Sequence, residues 1–106
     1  MIARIWHGWT TPQNADKSEA LIRSEIFSGI VARKIDGFEK IELLRRPVGG
    51  EVEFITIMWF STLEAIKAFA GADYEKAVVP PSARAVLSRF DATSQHYEIR
   101  EDRTAA

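Results

Sequence analysis

His7 stands in the opening run IARIWHGWT, with Trp6 and Trp9 around it, and is the one group there that titrates near neutral pH. An imidazole so placed suits general-base work, and tryptophans supply dry, flat walls for an aromatic ligand. The competing reading is a histidine that hydrogen-bonds within an interface or at a strand end. His96, in SQHYEIR, is the second candidate. Facing a pocket, it could meet His7 or a substrate oxygen; facing elsewhere, it is a half-exposed strand histidine. Trp59, Phe69 and Tyr74 are candidates to line a cavity, Tyr74 with a hydroxyl that could orient a polar ligand group. Aromatics at strand and helix spacing also build ordinary cores.

Several chemistries are excluded by residue type. The absence of cysteine removes disulfides, thiolate metal sites and cysteine nucleophiles together. Two distant histidines without spaced carboxylates make no metal motif. Gly49-Gly50 precedes no helix with phosphate-loop spacing, and Ser61 lacks the context of a nucleophile. A net charge of −1, with the lysines and arginines scattered, gives no footprint for nucleic acid or acidic lipid. The apolar runs are too short to span a membrane, and no signal peptide is visible at the start. Cytoplasm is the expected location.

These side chains need elements to hold them. Residues 2–9 read as a first strand, stopped by Thr10-Thr11-Pro12. A long helix follows over 15–33, with Ile22, Ile26 and Ile30 at four-residue spacing, Thr11 or Asn14 as its cap, and Gly29 as the expected point of a break or close packing. Asp36-Gly37 closes the unit. Residues 38–46 make a second strand, and Pro47-Val48-Gly49-Gly50 a hairpin loop into EVEFITIMWF, residues 51–60. That third strand is apolar on both faces, so both should be covered. Ser61 with Glu64 reads as a capping box for a short helix ending near Gly71. Pro80-Pro81 then interrupts two short helical pieces, the second carrying Ala83, Val86, Leu87 and Phe90. Residues 91–100 form the last strand and 101–106 a polar tail, leaving 1–100 as a single domain.

The order β-α-β-β-α-β is that of an α+β, ferredoxin-like fold with a four-stranded antiparallel sheet and both helices on one face. The other face, roughly 400 Å², would lie bare, and the same face of a second copy is its simplest cover. Two such sheets enclose barrel-like space, the setting for a pocket.

The whole chain resembles the antibiotic biosynthesis monooxygenase family, within the dimeric α+β barrel superfamily. The resemblance is carried by IARIWHGWT, by VEFITIMWFSTLEAIKAFAGADYEKAVVPP and by SQHYEIR. It implies a homodimer with a ligand cavity between each protomer's sheet and helices. Some members oxidise polyphenols or anthrones with O2 and no metal or organic cofactor; others degrade haem. The expectation is cofactor-independent monooxygenation of an aromatic or polyketide-like small molecule. In it, His7 deprotonates a phenol, which then passes an electron to O2. Haem-degrading members place an asparagine, a tryptophan and a ligating histidine where this chain has His7, Phe69 and Val79. Valine cannot ligate iron, so no haem and no other cofactor is expected. Two alternatives stay open: a non-catalytic ligand-binding or stress-associated homodimer, and an isomerase or lyase using His7 for proton transfer alone.

Overall fold

Runs rich in isoleucine, leucine, valine and aromatic residues make β1 (Ile2–Thr10), β2 (Phe38–Val48) and β3 (Glu51–Phe60). The computed structural model describes residues 1–105; Ala106, the last residue of the expected tail, lies outside them. β1 and β3 pair antiparallel, with Ile5 opposite Ile57, and β2 pairs antiparallel with β3 through a two-residue turn at Gly49-Gly50. Pro47 therefore sits inside β2, tolerated because that strand is at the sheet edge. On the far side of β1 lie two short strands, β4 (Arg89–Phe90) and β5 (Gln95–Glu98). They share the position expected of one longer strand over 91–100. Phe90 is thus a strand residue, and the expected second helical piece shrinks to α3 (Pro81–Arg84).

The first helix, α1 (residues 15–32), is continuous but not uniform. It is α-helical over Ala15–Leu21, π-helical over Ile22–Phe27 and α-helical again over Ser28–Ala32. The irregularity falls before Gly29, where an added Cβ would meet nothing within 4 Å, so that glycine marks neither a break nor a close approach. Within the widened stretch, Ser24 Oγ donates to the Ala20 carbonyl at 2.7 Å. No side chain caps the helix at Asn14; the Thr11 hydroxyl instead accepts from the Asn14 amide.

The second helix, α2 (Leu63–Ala70), is capped by Thr62, not Ser61: its Oγ1 accepts the Ala65 amide at 3.1 Å. Gly71 ends it with a φ of 92°. Arg33, just past α1, donates to the carbonyls of Ala68 and Phe69 and so fastens the two helices together.

All three helices cover one sheet face. Met58, Phe60, Ile66 and Phe69 form one core cluster; Ile22, Val52, Phe54, Ala83 and Leu87 form the other. The opposite face, carrying Ala3, Ile5, His7, Trp9, Ile55, Ile57 and Trp59, has no covering element among the described residues. No helix among the described residues is long and apolar enough to cross a membrane.

Candidate functional site

The two faces of β1 part the expected site residues. Trp6 points toward the helices, and its Nε1 donates to the Asp91 carbonyl at 2.8 Å. His7 and Trp9 point the other way and stack on each other, ring centroids 6.0 Å apart. His7 Nδ1 lies 3.0 Å from Glu53 Oε2, and Arg46 Nε donates to the other carboxylate oxygen at 2.7 Å. Those two bonds, His7's first, hold the Glu53 carboxyl below its ordinary range. Trp59 is on the same open face, its Nε1 donating to Glu42 at 2.7 Å with Lys40 over the ring.

Between the sheet and α1 lies a chamber of about 60 Å³. Trp6, Phe27, Phe69, Met58 and Val79 are among its walls, with Ile22 and Ile26 from the π-helical stretch. It opens past Ile26, Ile30, Phe69, Val78 and Pro80 into a surface depression of about 290 Å³, edged by Glu25, Arg33 and Ser82. Short π segments recur at functional sites, and this one forms the wall where the chamber meets its mouth. Gly8 is the residue that makes room for the Trp6 wall: a Cβ there would come within 2.8 Å of the indole ring.

The charged group of the chamber is Arg4, which is not among the expected site residues. Arg4 is 3% exposed, and its guanidinium lies over the Phe69 ring at 5.4 Å. It donates to the carbonyls of Tyr74 and Lys76 and, at 2.9 Å, to His96 Nε2. Among the described residues no carboxylate pairs with it. Burial pushes it down to about 10, so it keeps its proton at neutral pH. Burial, with Arg4 adding to it, also holds the His96 imidazole below its ordinary range. As acceptor from Arg4, that ring is neutral with its hydrogen on Nδ1. Tyr74 packs edge-on against His96, 5.2 Å between centroids.

Trp6 and Phe69 therefore share the chamber; His96 and Tyr74 sit beside it, behind Arg4; His7, Trp9 and Trp59 are on the opposite side of the sheet. One signal for Arg4 was available: it is the charged member of the inward series Ile2, Arg4, Trp6, Gly8. The π segment leaves no such trace in the apolar spacing.

No protein-family model matches the chain, and no curated protein matches it by sequence. Solved structures do match its fold. A Bacillus cereus protein described as a candidate antibiotic biosynthesis monooxygenase superposes with a TM-score of 0.69 at 15% identity, over 98% of this chain and 97% of that one. SnoaB, a cofactor-independent oxygenase from Streptomyces nogalater, does so with 0.51 at 18% identity, over 95% of each chain. The Mycobacterium tuberculosis heme-degrader MhuD, with two hemes bound in its active site, gives 0.63 at 19% identity, over 98% of this chain and 100% of that one. This last likeness corrects the expectation that excluded haem. The departures at His7, Phe69 and Val79 do not decide the matter when a protein of the same fold holds two hemes. Of the usual axial ligands, the chamber walls present the Met58 thioether; the nearest imidazole, His96, is bonded to Arg4. The chain has the ferredoxin-like fold of the antibiotic biosynthesis monooxygenase family.

Proposed function

We propose that the chain is an oxygenase that takes a small aromatic or polyketide-like molecule between its sheet and α1. The observation carrying this reading is the chamber itself, aromatic on three sides through Trp6, Phe27 and Phe69 and continuous with an outer depression. Fold likeness to a cofactor-independent oxygenase and to a heme-degrader supports oxygen chemistry and leaves the means of activating O2 to experiment. A second copy covers the open sheet face, where Leu44 is 43% and Tyr97 57% exposed beside Ile5, Ile55 and Ile57. His7 belongs to that interface, bonded to Glu53, and does not reach a molecule in its own protomer's chamber.

The test is O2 uptake with a panel of polyphenols and anthrones, with and without added haem, by wild type, Ile26→Trp and His7→Ala. Uptake by wild type, lost when tryptophan fills the mouth and retained in His7→Ala, is the expected pattern. No uptake with any compound under either condition would remove the oxygenase assignment. Uptake lost in a dimeric, folded His7→Ala protein would move the reaction to the open face. A second reading, a non-catalytic binding dimer, is favoured by the inner chamber's small volume of about 60 Å³; it predicts ligand binding without O2 uptake.

A further inference from the structure

Arg4 is an expensive residue to bury, and its neighbours account for only part of it. A guanidinium has five N–H donors, and three are committed here: two on Nη1, to Tyr74 O and His96 Nε2, and one on Nη2, to Lys76 O. The hydrogen on Nε and the second on Nη2 have no acceptor among the described residues. Nε and Nη2 share one edge of the guanidinium plane, the edge that can grip a carboxylate with two parallel bonds. Arg89 shows the same fork in use on the protein's surface, its Nε and Nη2 both donating to Glu51. In Arg4 that edge makes one bond to the protein, from Nη2 to the Lys76 carbonyl, and Arg4 lines the chamber, with Phe69 under the guanidinium.

The partners it does have fix it in place. Two backbone carbonyls from the segment after α2 and the His96 ring hold Nη1 and Nη2, so the guanidinium cannot swing toward solvent without breaking those bonds. No carboxylate among the described residues offsets the charge, whereas the exposed arginines Arg46 and Arg89 each pair with one and Arg45 with two. Arg33, also over the Phe69 ring, adds a second cation toward the mouth, where Glu25 is the opposing charge. A buried, fixed cation with two unmet donors beside an aromatic space is a receptor for a planar oxyanion attached to a ring.

We propose that Arg4 is the ligand-anchoring residue of the chamber and that its ligand carries an anionic oxygen group on an aromatic body: a carboxylate, or a phenolate or enolate with a neighbouring oxygen. The ring lies among Trp6, Phe27 and Phe69, and the oxygens meet Arg4 Nε and Nη2. This rests on the chamber being the ligand site and does not need the ligand to be oxidised there.

The experiment is titration of the full chain with benzoate and 2-naphthoate against benzamide and 2-naphthamide, read by calorimetry. The amides keep the shape and lose the charge. Wild type should bind each acid at least about tenfold more tightly than its amide, the worth of one charge-assisted bond or more. Arg4→Lys, which keeps the charge and loses the fork, should lose most of that preference. Arg4→Met should bring acid and amide within about twofold. Circular dichroism confirms that each variant is folded, and the acid–amide comparison in wild type decides the matter without any variant. Equal binding of acid and amide, no acid binding at millimolar concentration, or a preference unchanged in Arg4→Lys and Arg4→Met would each overturn the assignment. Acid preference without O2 uptake would keep this proposal and remove the oxygenase reading; uptake of neutral aromatics without acid preference would do the reverse.

Discussion

Gly8→Ala puts the smallest side chain into the tightest place beside the chamber. The new Cβ lands 2.8 Å from Trp6 Cη2 and 3.2 Å from Cζ3, where carbons rest at about 3.5–4.0 Å. The indole cannot simply turn aside: its Nε1 is tied to the Asp91 carbonyl, and Phe90 packs against it, ring centroids 6.2 Å apart. Overpacking of this kind costs about 1–3 kcal/mol, and alanine recovers about 0.5–1 kcal/mol of glycine's backbone entropy, leaving a net loss of about 1–2 kcal/mol. For a domain of this size that is a fall in Tm of about 5–15 °C, measured by circular dichroism. The decisive comparison is with Trp6→Phe, which deletes the two clashing ring atoms at a cost of about 1 kcal/mol for the lost hydrogen bond. In that background Gly8→Ala should cost nothing or stabilise, a coupling of 1 kcal/mol or more by the order usual for residues in contact. An unchanged or raised Tm for Gly8→Ala, or the same loss in both backgrounds, would refute the packing account of the chamber wall.

Other expectations follow from the same geometry. Phe60→Ala, at a fully buried site against Phe38 and Phe69, should cost about 3–5 kcal/mol in urea unfolding. Ile57→Arg, at the centre of the open face, should turn a dimer into a monomer by equilibrium sedimentation while leaving the fold intact; a wild-type monomer at micromolar concentration would end the dimer proposal. Acid should weaken the fold from the histidine range downward. With the folded His96 value lowered by burial and by Arg4, against a smaller opposing pull from Glu75, the unfolded chain binds its proton first. Stability is therefore full above the ordinary value of 6.5 and falls as pH drops through the lowered folded value. His96→Gln, with an amide oxygen for Arg4, should flatten the upper part of the Tm–pH curve; an identical curve would refute it. The Glu53 contribution, its carboxyl lowered by His7 and Arg46, is lost further down in pH.

Element order was readable because the isoleucine- and aromatic-rich runs at 2–9 and 51–60 and four-residue spacing in α1 are strong signals, and they led directly to the ferredoxin-like arrangement. Boundaries were weaker. Ser61 and Thr62 are both good caps, and only the backbone geometry chose Thr62. The stretch after α2 was the hardest, since Pro80-Pro81 announces a break without saying that Arg89-Phe90 and Gln95–Glu98 would share one edge of β1. At the site, Phe69 and Trp6 were legible as cavity aromatics. Which way His7 faced was not, because adjacent strand residues point to opposite sides and both sides of β1 are apolar. Arg4 stands out for a different reason: an arginine in an inward-facing strand series departs from ordinary core composition.

The π-helical stretch of α1 has a consequence for how this chain can change. Such a stretch is in effect one residue more than the turn needs, and removing one residue between Ile22 and Phe27 would let the helix close into ordinary α geometry. The residues beyond, Ile30 and Arg33 among them, would keep their places against the core and α2, because the widened turn has already absorbed the extra residue. The change would fall on Ile22–Phe27, where Ile22, Ile26 and Phe27 wall the chamber. The width of the chamber is thus adjustable by one residue without moving the helix that frames it, and a single deletion is the shortest step by which the chain could be re-aimed at a different guest.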